Sequence, residues 1–417
     1  MKIGYVLLDG CADRPSPQLN FTTPLEAAYT PYLDLIARRS NLGRVVTVKR
    51  GVAPESDIAV FNMLGYSFDK GYPGRGVIEA IGSGLEVNPG QLALRANFAS
   101  AKGRRIVDRR AGRNLTQEEA EKLADELNGI KLRGAELEFR ATISYRGVLV
   151  IKADKPLSAE ISNTDPAYAK LRGFGAAKAT VKGESILASR PESSSPEAKR
   201  SADLVNEFTS KSIEALSESS VNRERMHEGK LPANCVLLRD AGDHTPVVEL
   251  FEARFGLKGT ALVEMPAEIG IAKLLGMKMV AVKNRSDLRE KATLFARELS
   301  ERTAVYVHIK GPDEFGHDGD ARGKKRMIES IDNDFFSTVA GSLRDAKLAV
   351  SCDHATPCTI KMHASDPVPL LVSTDSKGDG MRFTETCAKK GSLGMFRGRE
   401  VLPLIVSGKT STGHVRT

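Results

Sequence analysis

The chain has 417 residues, enough for two or three domains and for a full core without disulfide or structural-metal support. Hydrophobic residues make up 41% and charged residues 27%, which excludes global disorder, and no run approaches the roughly 18 apolar residues that a membrane span needs. The net charge is +8, but there is no Lys/Arg-rich tract and only 6% of residues are aromatic, so base-stacking nucleic-acid binders are disfavoured.

The basic excess is concentrated. Residues 101–200 hold 20 Lys+Arg against 14 Asp+Glu, with arginines dispersed as in Asp108-Arg-Arg-Ala-Gly-Arg113. That pattern suits a pocket for a small phosphate or carboxylate. The five cysteines are odd in number, spread out and without a CxxC, so neither a disulfide framework nor a thiolate zinc site is expected. The amino-terminal apolar run is too short for a secretory signal, and a cytoplasmic protein is expected.

In chain order, residues 3–8 read as a buried strand ending at Asp9-Gly10. Pro24 and Pro31 open helices, and a strand follows from Arg44. Ile58, Phe61 and Leu64 recur at helical spacing before Gly65, which puts Ser56 at or beside a helix N-terminus. From 73 to 190 the pattern changes to strands near 92–98, 135–140 and 146–151 and a helix over 117–127. A Ser/Pro/Glu-rich stretch near 190–197 reads as a linker. Beyond it, helices at 201–217, 269–276, 286–301 and 322–342 alternate with strands at 234–238, 261–264, 278–282, 304–309 and 346–351. Such alternation predicts an α/β fold with a mostly parallel sheet flanked by helices. The expected domains are a core of residues 1–72 and 191–417 and an inserted, smaller α+β domain of residues 73–190.

Four of the seven histidines, His308, His317, His354 and His363, lie within 56 residues. Asp313 and His317 stand four apart, on one face if helical. Asp353-His354 follows the apolar run Leu348-Ala-Val-Ser, and Asp9 ends the first strand in the same way; open α/β sheets build sites at that edge. Asp9, Asp313, His317, Asp353, His354 and His363 are nitrogen and oxygen ligands suited to Mn²⁺, Zn²⁺, Mg²⁺ or iron, and enough for two ions. His308, inside an apolar strand, reads as a core residue. Ser56 alone would read as a helix cap. Beside a metal set it becomes a candidate nucleophile at a helix N-terminus that favours anions.

These residues, in this order, resemble the archaeal type of cofactor-independent (2,3-bisphosphoglycerate-independent) phosphoglycerate mutases, within the alkaline phosphatase superfamily. The likeness spans nearly the whole chain. It includes Asp9-Gly-Cys-Ala-Asp-Arg-Pro15, Pro54-Glu-Ser-Asp57, Gly74-Arg-Gly76, Asp108–Arg113, Tyr145-Arg-Gly-Val-Leu-Val150, Asn163-Thr-Asp-Pro166 and Leu237-Leu-Arg-Asp-Ala-Gly242. The most specific blocks are Val307-His-Ile-Lys-Gly-Pro-Asp-Glu-Phe-Gly-His-Asp-Gly-Asp320 and Asp353-His-Ala-Thr-Pro-Cys-Thr-Ile-Lys-Met-His363. Three positions depart from the pattern: Asp240 and Cys352 stand where glycine is usual, and Pro266–Gly270 lacks a basic residue.

The resemblance implies an alkaline phosphatase-like core and interconversion of 3-phosphoglycerate and 2-phosphoglycerate in glycolysis and gluconeogenesis. The reaction would pass through a phosphoserine at a two-metal site, without 2,3-bisphosphoglycerate. One divalent ion would be held by Asp313, His317 and His363, the other by Asp9, Asp353, His354 and Ser56. Manganese is the first expectation, with magnesium, zinc and cobalt as alternatives. Arg110, Arg113 and Arg146 would bind the glycerate carboxylate and hydroxyls, and Lys310 would face the phosphate. The alternative is a related two-metal phosphomutase or phosphatase acting on another small phosphate ester. The only expected partner is the small-molecule substrate, with no nucleic acid and no membrane; a homo-oligomer is compatible with the sequence.

Overall fold

The computed structural model describes residues 1–68, 72–171, 174–177, 184–282, 284, 286–301, 303–343, 346–373 and 377–407. The chain divides into two compact units. The first comprises Met1–Phe68, Glu249–Glu264 and Ala272–Thr417, the second Asp69–Val248 with Met265–Ile271.

The first unit is built on an eight-stranded sheet. Its strands run in the order Lys278–Met279, Gly259–Leu262, Ala304–Ile309, Lys2–Leu8, Ala346–Cys352, Val368–Val372, Asn41–Val46 and Gly394–Arg397. The first five are mutually parallel, and Val368–Val372 runs antiparallel to both neighbours. Ala304–Ile309 is buried along its whole length, as is Lys2–Leu8 from Ile3 onward. Strands covered on both faces need apolar residues at every position, which explains the unbroken runs in the sequence. This is the mostly parallel α/β sheet expected.

The register positions the site. Leu8 lies beside both Ile309 and Cys352. The next residues on the three strands, Asp9, Lys310 and Asp353, therefore leave the same carboxyl edge together.

The helix expected over 322–342 is interrupted. Ala321–Ile331 passes into a wide π turn at Asp332–Phe336 and then Ser337–Gly341. The turn buries Asp332, Phe335 and Phe336 together, and the Asp332 carboxylate accepts hydrogen bonds from the Leu33 and Tyr32 N–H groups at 2.7 and 3.3 Å. The strand expected over 278–282 shrinks to Lys278–Met279, paired only with Thr260 and Ala261 at the sheet edge.

The second unit centres on an antiparallel sheet. The long strand Leu92–Lys102 pairs with Arg146–Ala153, Cys235–Gly242 and Arg105–Asp108, and Ala135–Ala141 pairs with Arg146–Ala153. Period-two alternation separates its faces. Leu92, Leu94, Ala96, Phe98, Leu149 and Ile151 pack with residues of the helices Gln117–Asn128 and Pro196–Ser217. Ala93, Val148 and Val150 pack with Val77 and Ala80 of Arg75–Gly82. Gly82 and Gly270 allow Arg75–Gly82 and Pro266–Leu274 to cross backbone to backbone: a Cβ on Gly82 would lie 1.8 Å from the Pro266 carbonyl oxygen.

The expected boundary at 190 needs correcting. Cys235–Gly242 completes the second sheet rather than the first, and the second unit runs on to Val248. The Ser/Pro/Glu-rich stretch is not an interdomain linker. It starts the helix Pro196–Ser217, whose N-cap Ser195 accepts from the Ala198 N–H. Among the described residues, no helix is long and apolar enough to cross a membrane.

Candidate metal centre and arginine cluster

Three groups of metal-ligating side chains gather in the first unit: Asp313 with His317 and His363, Asp9 with Asp313 and His354, and Asp9 with His308 and Asp353. Within each group the ligand atoms lie within 4.8 Å of one another. The six Asp and His side chains expected as ligands therefore fall in one connected cluster.

The helix Pro312–Asp318 opens on a proline, and its Asp313 and His317 fall on one face with Asp313 Oδ2 3.4 Å from His317 Nε2. His363 Nε2 lies 3.6 Å from Asp313 Oδ1, and its ring stacks on His354 with centroids 3.8 Å apart. At the sheet edge, Asp353 Oδ1 accepts from the Gly10 and His354 N–H groups at 3.0 and 2.9 Å. These bonds hold the carboxylate with Oδ2 toward His354 Nε2 at 3.2 Å and His308 Nε2 at 3.6 Å. Asp9 Oδ2 pairs with Lys310 Nζ at 3.1 Å, while Asp9 Oδ1 lies 3.6 Å from His354 Nε2 and 3.8 Å from His308 Nε2.

This donor set fits divalent ions. The buried oxygens Asp9 Oδ1 and Asp353 Oδ2 have no hydrogen-bond partner among the described residues, an uncommon state for a buried carboxylate. The outer ring nitrogens are engaged: His317 Nδ1 lies 3.1 Å from the Lys361 carbonyl oxygen and His363 Nδ1 2.8 Å from that of Pro54. A carbonyl only accepts, so both Nδ1 atoms carry the proton and both Nε2 atoms face Asp313. Histidines that ligate metals donate their other ring N–H to a carbonyl or carboxylate in this way, which fixes the ring and its tautomer.

Charge is tuned to match. Burial would raise Asp313, but His317, His363 and His354 outweigh it and hold the carboxyl well below its usual range. Burial and then Asp9 push Asp353 up to about 7. Burial and the neighbouring His363 hold His354 well below the usual imidazole value, so it is neutral.

Ser56 is the first residue of the helix Ser56–Met63, whose N-cap is Glu55. Its Oγ lies 3.1 Å from His354 Nε2. The hydroxyl thus sits at a positive helix end against an imidazole of the cluster.

His308 is the residue that sequence reasoning discounted. It is 1% exposed, inside Ala304–Ile309, yet its Nε2 faces Asp9 and Asp353. Two of the departures also acquire reasons. Asp240 has φ +55°, the left-handed conformation that suits glycine, and its carboxylate meets Arg95 Nη1 at 3.2 Å. Cys352 is buried at the end of its strand, and burial, with the Cys11 thiol next in weight, raises its own thiol well above the usual value.

The sequence-selected arginines meet in the second unit around Tyr145. Arg146 and Arg110 lie over its ring at 5.2 and 6.0 Å from the centroid. Burial would raise the Tyr145 hydroxyl, but Arg146, Arg110, Arg239 and Arg113 together lower it. Arg110 and Arg113 sit on a braced loop. Asp108 Oδ1 accepts from the Arg110 and Gly112 N–H groups, and Ala111, Gly112 and Arg113 take φ of +45°, +74° and +57°. The buried Arg225 holds the loop through the Ala111 carbonyl and Asn114 Oδ1. Strain of this kind persists only where surrounding contacts enforce it.

Sequence reading did not select Arg75, Arg95, Arg109 and Arg239. Arg95 and Arg75 pair with Glu79 at 3.0 and 2.8 Å, and Arg109 Nε and Arg239 Nη1 meet Asp165 at 3.1 and 3.3 Å. Neither Arg110 nor Arg146 is paired with a carboxylate among the described residues, which leaves the group a strongly positive field.

Comparison with known proteins agrees with this geometry. A family model described as 2,3-bisphosphoglycerate-independent phosphoglycerate mutase matches residues 37–222. A relative of that name from Aeropyrum pernix is 43% identical over 98% of this chain and 99% of its own length. One from Methanopyrus kandleri is 37% identical over 97% of this chain and 95% of its own. Among solved structures, the cofactor-independent phosphoglycerate mutase of Thermoplasma acidophilum is 30% identical, covers 99% of this chain and 100% of its own, and has a TM-score of 0.62. A protein of Pyrococcus horikoshii covers 99% of each chain at 28% identity with a TM-score of 0.77. On these near full-length matches, the chain belongs to the family of 2,3-bisphosphoglycerate-independent phosphoglycerate mutases.

Proposed function

We propose that the chain interconverts 3-phosphoglycerate and 2-phosphoglycerate through a phosphoserine at Ser56, independently of 2,3-bisphosphoglycerate. The observation that carries the reading is the convergence of Asp9, Asp313, Asp353, His317, His354 and His363 around one edge, with Ser56 Oγ 3.1 Å from His354 Nε2.

In this reading Asp313, His317 and His363 hold one divalent ion, and Asp9, Asp353, His354 and Ser56 hold the other. Bound there, such ions lower the serine pKa and neutralise charge on the transferring phosphoryl group. Ser56 Oγ gives up its proton and forms a bond to phosphorus as the bond from phosphorus to the substrate oxygen breaks, and that oxygen leaves as the glycerate hydroxyl by taking up the proton that Ser56 released. The neighbouring hydroxyl then attacks the phosphoserine, gives up its proton and regenerates Ser56. Lys310, drawn to the cluster by Asp9, adds positive charge for phosphate oxygens. Arg110, Arg113 and Arg146 bind the carboxylate and hydroxyls, because guanidinium forks match carboxylates. The enzyme acts in the cytoplasm on a small diffusible substrate.

The test is an assay of metal-stripped protein with 3-phosphoglycerate, Mn²⁺ added and 2,3-bisphosphoglycerate omitted, following both 2-phosphoglycerate and free phosphate. Metal-dependent 2-phosphoglycerate with little free phosphate is expected. Free phosphate without isomerisation would overturn the mutase reading in favour of a phosphatase.

A further inference from the structure

Thr356 belongs to neither metal set, yet its hydroxyl touches both. Thr356 Oγ1 donates to Asp313 Oδ1 at 2.6 Å and lies 3.0 Å from His354 Nδ1. A threonine hydroxyl has one hydrogen. Given to a carboxylate, which only accepts, it is not available to the imidazole. His354 Nδ1 must then be the donor in the second bond, and Nε2 is left bare. That bare nitrogen is the one facing Ser56 Oγ, Asp9 and Asp353.

The position is built rather than incidental. Thr356 is fully buried. Its N–H donates to the Ala12 carbonyl and its own carbonyl accepts from Lys324 Nζ at 2.9 Å. Two motif glycines make room for it. A Cβ on Gly10 would lie 2.6 Å from Thr356 Oγ1, and one on Gly316 would lie 2.7 Å from Thr356 Cγ2. Gly10 follows Asp9 and Gly316 precedes His317, so a ligand-bearing segment packs against each side of the threonine.

We propose that Thr356 is a positioning residue that locks the His354 tautomer and ties the Asp313 ligand set to the Asp9–Asp353–His354 set. The inference rests on the metal-site reading above for its consequence but not for its first test. A neutral imidazole left to itself distributes its proton between both nitrogens. Held by Thr356, it presents a lone pair to the sheet edge without a rearrangement on ligand binding, which favours affinity.

The experiment uses the full chain with ¹⁵N-labelled histidine, the His354 signals being assigned by their loss in His354→Gln. In metal-free wild-type protein the proposal expects a protonated Nδ1 and a bare Nε2. In Thr356→Val, of similar shape, that preference is lost, and zinc affinity measured by competition with a chelator falls about 10–100-fold. Thr356→Ser, which keeps the hydroxyl, restores both. An Nε2–H tautomer in the wild-type protein would overturn the proposal. So would wild-type zinc affinity in Thr356→Val with its circular dichroism unchanged. If the tautomer is as expected but wild-type protein binds no zinc, the metal-site reading fails while the tautomer lock stands.

Discussion

Asp9 and Asp353 leave adjacent parallel strands at one level, because Leu8 pairs with Cys352 in the sheet register. Two carboxylates brought to one buried edge resist ionising together. Burial, then Asp9, holds Asp353 up at about 7. On the other side of the cluster, burial would lower His363, but Asp313, Glu55 and the Pro54 carbonyl outweigh it and raise the imidazole to about 10.

Metal uptake should therefore release protons and strengthen with pH. A metal ligand must be deprotonated, so affinity for Zn²⁺ rises from about pH 6 to about pH 10 as Asp353 and His363 lose their protons. The sign for the metal-free fold is opposite. A histidine with a raised folded pKa adds stability fully present below its ordinary value of 6.5 and lost as pH rises through about 10. Calorimetry in buffers of different ionisation enthalpy measures the released protons. An affinity that stays flat between pH 7 and 9 contradicts this account.

Asp313 reaches all three neighbouring histidines, with contacts of 3.4 Å to His317, 3.6 Å to His363 and 4.0 Å to His354. Asp313→Asn should lower mutase activity at least about 100-fold, beyond what loss of an outer partner costs a metal site. Elemental analysis should show fewer ions per chain. The His317 and His363 pKa values should fall, because their carboxylate partner is gone. Full activity with unchanged metal content would remove Asp313 from the ligand set.

Beneath the cluster, Lys324 and Asp13 form a fully buried pair at 2.7 Å, and Lys324 Nζ also donates to the carbonyls of Ala12 and Thr356. Asp13 accepts in addition from the Cys358 N–H. Lys324→Met should cost about 3–5 kcal/mol in unfolding free energy, since it leaves the Asp13 charge buried without its cation. Denaturant unfolding of the metal-free protein measures this directly. A loss under about 1 kcal/mol would show the pair to be dispensable.

The sequence made the carboxyl edge legible because strand ends are marked by chemistry: Asp9 and Asp353-His354 each follow an apolar run. The i, i+4 spacing of Asp313 and His317 gave one face of a helix, and the structure shows it. His308 was harder to read, because a buried strand is apolar on both sides and a single histidine in it reads as core. A signal was nonetheless present. Strand side chains alternate, so His308 shares a face with Lys310 two residues on. The second unit's extent was hidden for another reason. Cys235–Gly242 reads like any parallel core strand, and only its pairing with Leu92–Lys102, more than a hundred residues away, assigns it. Arg95, Arg109 and Arg239 were equally invisible, since the carboxylates that hold them, Glu79 and Asp240 for the first and Asp165 for the other two, are distant in sequence.

In the second unit, Arg146 is the foremost of the arginines that lower the half-buried Tyr145 hydroxyl. Arg146→Met should raise the KM for 3-phosphoglycerate about 10–100-fold, the worth of one charged hydrogen bond, while metal content stays constant. The same variant should shift the Tyr145 titration upward in ultraviolet absorbance. A rise in KM without that shift would mean Arg146 acts from another position. A shift without a change in KM would remove it from substrate binding.

In the proposed reaction the phosphoryl group rests on Ser56 between its two transfers. The most direct measurement is rapid acid quenching of manganese-loaded enzyme with 3-phosphoglycerate, followed by mass spectrometry of the peptide spanning Ser56. A phosphate is expected on Ser56 within one turnover, absent from Ser56→Ala, which retains its metal and has essentially no mutase activity. An unphosphorylated Ser56 peptide together with a fully active Ser56→Ala enzyme would contradict that proposal.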